Sequence, residues 1–504
     1  MRRLTLVLVA GLLAVGLAVA ARIAVLRALR LHPTLFLTAA DRETLYERLA
    51  RDLVGIYDAV PDARVGKILQ RNLEKTQLGA RIVSNNAGMR SSLRYVPKPA
   101  GTYRIVCLGD SFVEGSAGAE EDRFCDQMGQ ILAGLGYRHD GRRVETYALG
   151  VGGWTATNAA QYLTSRLSAY DPDIVVALFV GNDITDGQGV TGIGAATNAF
   201  SPAQRDLGSG VTSGMLPLRF GVPGYNLLGG DLGPESRRLW EAAFRAWRRL
   251  EDLQAERGGR MIFALLRSGP YFDALTREHY RRFGMRSPFV ETSALGRRLP
   301  HDGHPDREGH RIIASHLLHV MHRRGWLAVP ADALPALDPR LSTHAPAAAD
   351  ARDLARLRGE AASGLPYRID FTSLDAAAVM GLLGGIWPDP AAADPLAAAP
   401  YGSLATTFLL RREPRATQLH VRIRTLPFPE LYPQRIRLRV DGRWQEDLRL
   451  ASRHDAGEHV LSAALPIPDG AAPAVEVHLR TEAYVSTIDD HLMRSYQLLE
   501  AWQE

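Results

Sequence analysis

The sequence predicts two folded units in one chain: a three-layer α/β/α body on a parallel sheet, then an antiparallel β-sandwich. Two patterns carry the prediction. Between residues 100 and 328, short apolar runs alternate with longer amphipathic ones, the succession of strands and helices that builds a parallel sheet covered on both faces. Between residues 351 and 504, several short segments alternate apolar and polar residues one for one, the period of strands with one dry face.

The chain opens on Met1-Arg2-Arg3, and residues 4–21 follow without a charge. That is close to the ~20 apolar residues that cross a bilayer. An uncleaved membrane anchor over residues 1–30 is expected. The alternative is a signal peptide cleaved after Ala18-Val19-Ala20. Either would export the rest of the chain. Residues 31–99 read as a polar helical segment ending in the turn-like cluster Ser84-Asn85-Asn86-Ala87-Gly88.

Strands are expected at residues 103–108, 144–149, 174–180 and 261–266, with a short fifth at 289–291. The run Ile-Val-Val-Ala-Leu-Phe-Val from Ile174 is apolar throughout, as a strand buried on both faces should be. A helix over residues 234–256 is bounded by a proline at its start and Gly258-Gly259 at its end. Another, over residues 307–324, closes the body. Residues 329–350, rich in Pro and Ala, read as a linker. In the tail, residues 419–424, 436–440 and 475–479 alternate strictly, and Asp441-Gly442 supplies a hairpin turn. The segment from Leu492 reads as a final strand or a short helix.

Cys107 lies in the first strand and Cys125 at the start of the next helix. Two packed free thiols are expected, with a disulfide as the alternative that export would permit. The balance of 60 Lys and Arg against 55 Asp and Glu leaves a charge of +5. No dense basic block interleaved with aromatics accompanies it, so no nucleic-acid partner is expected.

The chemistry concentrates at strand ends, where open α/β sheets bind ligands. The first strand runs into Gly109-Asp110-Ser111. A serine hydroxyl there becomes a nucleophile once a base takes its proton. Far downstream, His301-Asp302-Gly303-His304-Pro305 follows the last strand. His304 is the candidate base and Asp302 the carboxylate that would orient it, with His301 and His310 as competitors. Two more strand ends offer donors for an oxyanion: Gly153 a backbone N–H and Asn182 a side-chain amide. A tight turn and a helix cap are the plainer readings of these two residues.

Together these segments resemble the SGNH/GDSL hydrolase superfamily, whose Ser, Gly, Asn and His markers would here be Ser111, Gly153, Asn182 and His304. The resemblance spans about residues 84–325. Asn86-Ala87-Gly88-Met89-Arg90 is similar to a bacterial exported branch. Asp302 and His304 are separated by Gly303 alone, whereas the family often has two residues there. The resemblance implies a flavodoxin-like three-layer α/β/α fold and a serine esterase or acyltransferase, with Ser111, Gly153 and Asn182 as the oxyanion hole. It also implies an acylated carbohydrate or other ester as substrate, and the N-terminal segment adds a place for it outside the cytoplasmic membrane: inner-membrane-anchored and facing the periplasm, or periplasmic or secreted after cleavage. A lipid esterase, a thioesterase and a non-catalytic polysaccharide-binding protein are the alternatives.

No cofactor is expected, because Thr155 stands where a third glycine would complete a dinucleotide fingerprint. No metal is expected either: His316, His319 and His322 share a helix, but no His-Glu-x-x-His motif accompanies them. In the tail, Trp387 and Trp444 could stack on sugars, although a sandwich Trp is more often core.

Overall fold

The computed structural model describes residues 57–504, apart from 61, 63, 78–79, 116–117, 182, 185–230, 300–303, 349, 372–381, 388–400, 466–472 and 482–495. The expected apolar segment at residues 4–21 therefore lies outside the described residues, as do residues 31–56 of the expected helical segment. Among the described residues no helix is long and apolar enough to cross a membrane.

The described residues between 57 and 99 are not helical. They form two hairpins, β1 (Tyr57–Ala59) with β2 (Lys67–Leu69) and β3 (Glu74–Gln77) with β4 (Ala80–Val83). The chain turns at Gly66 (φ 77°), Asn72 (φ 56°) and Gly88 (φ 71°), left-handed positions that a helix would not hold. Val65, Ile68, Leu69, Met89 and Tyr95 fold down into the core of the body.

The body is built on β5 (Thr102–Gly109), β6 (Arg138–His139), β7 (Arg142–Gly150), β8 (Ile174–Phe179), β9 (Arg260–Leu266) and β10 (Phe289–Thr292). They lie in the order β10-β9-β8-β5-β7-β6, all parallel except the short edge strand β6. Each parallel strand expected from the sequence is present. Counting only the parallel strands, the order is 2-1-3-4-5, the flavodoxin-like arrangement, and its switch point lies at β5.

Alternate residues of each strand feed opposite cores. Val106, Leu108, Val175 and Ala177 face one, while Ile105, Cys107, Ile174 and Val176 face the other. The first core is covered by α3 (Ala156–Thr164), α5 (Pro234–Glu256) and α6 (Pro270–Arg282); the second by α2 (Phe124–Gly134) and α7 (Arg307–Arg323). Two short helices, α1 (Ser111–Glu114) and α4 (Leu167–Tyr170), complete the body. Helix α5 presents Trp240, Phe244 and Trp247 at helical spacing, all fully buried. Truncating either tryptophan would cost ~3–5 kcal/mol.

Residues 329–350 are strapped to α7. The Pro335 carbonyl accepts from Ser315 and is 2.9 Å from His319 Nε2, and the Ser342 carbonyl is 2.9 Å from His316 Nε2. A helix that the sequence reading did not anticipate, α8 (Ala351–Ser363), then packs Leu354 and Ala362 into the first core of the body.

The tail comprises β11 (Ile369–Asp370), β12 (Leu382–Trp387), β13 (Tyr401–Arg411), β14 (Gln418–Thr425), β15 (Gln434–Val440), β16 (Arg443–Leu450), β17 (Glu458–Ala464), β18 (Ala474–Thr481) and β19 (Tyr496–Gln503). Every pairing among them is antiparallel, and β13 bridges β18 on one side and β19 on the other. Leu419, Val421 and Ile423 from one layer meet Ile436, Leu438, Val475 and Val477 from the other, which makes a sandwich. Asp441 (φ 47°) and Gly442 (φ 79°) form the expected hairpin turn, left-handed at both positions.

Candidate active site

Strand β5 ends at Gly109 beside Gly150 of β7, so the two strands deliver their following loops to one place. Asp110 caps α1 by accepting the Phe112 N–H at 3.0 Å, which leaves Ser111 as the first helical residue. Its backbone N–H has no intrahelical acceptor. His304 Nε2 lies 2.7 Å from Ser111 Oγ, across 193 residues of sequence. The Phe112 ring rests against the imidazole, 4.6 Å between centroids. With the proton on Nδ1, Nε2 accepts the serine O–H, the arrangement a general base needs.

The second loop turns at Val151-Gly152-Gly153-Trp154, closed by the Trp154 N–H on the Val151 carbonyl. Gly153 stands at φ 73°, the left-handed position that such a turn gives to glycine. The tight-turn reading is therefore correct, and it is compatible with a donor role. A side chain on Gly150 would place its Cβ 2.5 Å from the Glu114 nitrogen and 2.6 Å from the Asp110 carbonyl oxygen. Only a glycine lets this loop lie against the serine turn. Asn182 and Asp302 lie outside the described residues, as does His301.

Residues 107–312 match the model of the GDSL-like Lipase/Acylhydrolase family. Over that segment the chain is similar to GDSL-like lipases and acylhydrolases, which supports an esterase. No curated protein matches. Among solved structures, a two-domain esterase (CEX) active on acetylated mannans is 15% identical, covering 80% of this chain and 91% of that one, with a TM-score of 0.29. A putative acylhydrolase from Bacteroides fragilis is 13% identical over 45% of this chain and 90% of its own, with a TM-score of 0.26. A family 3 carbohydrate esterase from Clostridium thermocellum is 16% identical over 38% and 78%, with a TM-score of 0.22.

The acylhydrolase site has buried supports that the sequence reading passed over. Glu114 is buried, and one carboxylate oxygen accepts the Gly152 N–H. The other, Oε1, has no hydrogen-bond partner among the described residues. Burial pushes the Glu114 carboxyl up from its ordinary range, against the pull of the Arg90 charge. Arg90, fully buried, donates to the carbonyls of Gly115 and Gly118 and so ties down the end of α1. Desolvation lowers its pKa to about 10, so it stays charged. Arg123 in turn donates to the Arg90 carbonyl. The signal in the sequence was the pair of motifs around Arg90 and Glu114, but long charged residues read as surface by default.

Two other histidines, the competitor His310 and the metal candidate His316, are enclosed elsewhere. His310 is buried beside Phe124, and burial together with the His304 charge pushes it down to about 3. His316 lies between Thr292 Oγ1 (3.1 Å) and the Ser342 carbonyl. Among the described residues no group of three or more His, Cys, Asp or Glu side chains is arranged to hold a metal ion.

Cys107 and Cys125 form a disulfide, not the expected pair of free thiols. Strand β5 and the first turn of α2 pack face to face with the two Cα atoms 6.0 Å apart, within bridging distance. Sequence separation alone could not report that approach.

Proposed function

We propose that this esterase removes or transfers short acyl groups, acetyl foremost, on a polysaccharide outside the cytoplasm. The observation that carries the serine mechanism is the 2.7 Å contact between His304 Nε2 and Ser111 Oγ at the carboxyl end of the sheet. Ser111 Oγ attacks the ester carbonyl as its proton passes to Nε2. The negative charge on the former carbonyl oxygen is met by the N–H groups of Ser111 and Gly153 and by the Asn182 amide. The bond to the leaving alcohol breaks as Nε2 returns the proton to that oxygen. Water or a sugar hydroxyl then gives its proton to Nε2 and attacks the acyl carbonyl, and as the bond to Ser111 Oγ breaks Nε2 returns that proton to Oγ. Asp302 is assigned the Nδ1 side of the imidazole, keeping the proton there.

The location is supported by the buried disulfide, which suits an oxidising compartment, and by the uncharged residues 4–21, which suit an exported, membrane-anchored chain. The test is release of p-nitrophenol from p-nitrophenyl acetate, then of acetate from acetylated mannan and xylan. Ser111→Ala and His304→Ala should each lower kcat by about 10⁴-fold or more. Activity that survives Ser111→Ala would remove the mechanism. Turnover of the small ester with no acetate released from any polymer would remove the substrate class.

A further inference from the structure

The outer face of the tail's β15, β16 and β18 is rich in arginine. On β15, Ile436, Leu438 and Val440 point inward and are buried, so Arg435, Arg437 and Arg439 line the opposite face. Their cross-strand partners add to the charge: Arg435 is paired with Arg449 of β16, and Arg437 with Arg480 of β18. Like charges set directly opposite in a sheet repel and cost stability. Among the described side chains of this face, Asp447 is shared by Arg435, Arg437 (3.3 Å) and Arg449 (3.8 Å). The β14 side of the sandwich differs. There Arg422 meets Glu500 at 3.0 Å and Arg424 meets Glu458 at 2.7 Å.

An aromatic ring sits among these arginines. Trp444, opposite Arg439, is 39% exposed and so is not core. The Arg437 guanidinium lies 4.1 Å from its ring centroid and that of Arg439 5.2 Å away. A guanidinium beside an aromatic ring is partly ordered by it, and its planar N–H fork matches a carboxylate with two parallel hydrogen bonds. An exposed indole beside them offers an apolar face to a sugar ring.

The face also begins at the seam with the acylhydrolase domain. Glu476, on the same side of β18, lies where a Cβ on Gly233 would be, and Pro234 Cγ lies 3.5 Å from the Cβ position of Gly442. Gly233 and Pro234 start α5, which joins the parallel strands β8 and β9. A helix in such a connection starts at the carboxyl ends of the strands, the end that holds Ser111.

We infer that this arginine and tryptophan face binds an anionic polysaccharide, one whose sugars carry carboxylates, and holds it beside the catalytic end of the sheet. The inference deepens the proposed activity and rests on it for the choice of a sugar polymer. A nucleic acid is disfavoured because single-strand binders stack successive bases on several aromatics, and this face presents one. An anionic bilayer draws basic segments through charge alone and gives Trp444 no special part.

The test is affinity electrophoresis of the full chain in gels containing polygalacturonate, with neutral mannan as the comparison. Anionic phosphatidylglycerol vesicles and single-stranded DNA serve as competitors. Retention by polygalacturonate should weaken about ten-fold in Trp444→Ala and in the double variant Arg437→Gln with Arg480→Gln. Arginine-to-lysine changes at the same two positions should recover part of it. Unchanged melting temperatures would show that the variants fold. Retention that is the same in all variants, or DNA or vesicles bound more tightly than polygalacturonate, would overturn the inference. Polyuronate binding without Ser111-dependent esterase activity would support this surface and remove the proposed activity. Esterase activity without binding would do the reverse.

Discussion

Glu114 shows how much of the site lies in groups that never meet the substrate. Its buried carboxyl takes the Gly152 N–H and so fixes the turn that aims the next N–H, that of Gly153. Glu114→Gln keeps an acceptor for that N–H, while Glu114→Ala removes it. The alanine variant should lose about 10- to 100-fold in kcat with KM little changed, because the turn serves the oxyanion more than the bound ester. The glutamine variant should stay near the parent. Stability gives a second readout. Burial raises the folded carboxyl above its ordinary value of 4.5, so the folded chain prefers the proton. The contribution is whole below that value and is lost as pH rises through the folded pKa. The melting temperature of the parent should therefore fall relative to Glu114→Gln as pH rises above 4.5. A constant difference across pH would place the ionisation elsewhere. Ser111 and His304 were legible because Gly-Asp-Ser and the distant His-Pro loop each follow a strand, and their coincidence says more than either alone. Glu114 and Arg90 were not, because nothing in one sequence says that a charge is enclosed.

The strands of the body were legible for a physical reason. Buried on both faces, β8 is apolar throughout and β5 is apolar apart from Thr102 and Arg104, as no surface helix would be. The hairpins at residues 57–83 were not, because their strands run three or four residues and half their side chains are polar. The disulfide belongs to this scale as well, since it joins β5 to α2 just before the serine turn. The bridge spans a separation of 18 residues, and closing such a loop removes chain entropy worth ~3 kcal/mol from the unfolded state. Cys107→Ala with Cys125→Ala should lower the urea unfolding free energy by about that amount. Both sulfurs are buried, so a reductant should act on the parent only as fast as it unfolds. Rapid reduction under native conditions would contradict that enclosure.

At the scale of the whole molecule, the question is whether the sandwich hangs from the acylhydrolase domain or is part of it. Leu354, Ala362, Leu365, Leu409 and Ala474 belong to the same core as β5 and α5, so apolar burial crosses the junction. An ion pair between a half-exposed arginine and a buried carboxylate reinforces it. Arg358 on α8 donates to both oxygens of Asp231, at 2.8 and 3.1 Å, and Tyr271 of α6 donates to the same carboxylate at 2.6 Å. Although burial opposes ionisation, Arg358 and Tyr271 together hold Asp231 below its usual value of 3.8. That stability is present above 3.8 and is lost as pH falls through the lower folded value. Arg358→Met would leave the carboxylate buried beside Tyr271 without its counter-charge, at a cost of ~2–3 kcal/mol. The variant should unfold earlier in urea at neutral pH and lose its disadvantage in acid, where Asp231 is protonated in either chain. Because the apolar core still spans the seam, unfolding should remain a single transition by tryptophan fluorescence and by circular dichroism. Two separate transitions would mean that the ion pair, and not the shared core, joins the halves. A sandwich so joined could not hold a polymer at a fixed place beside Ser111, so the same measurement bears on the binding face as well as on the fold.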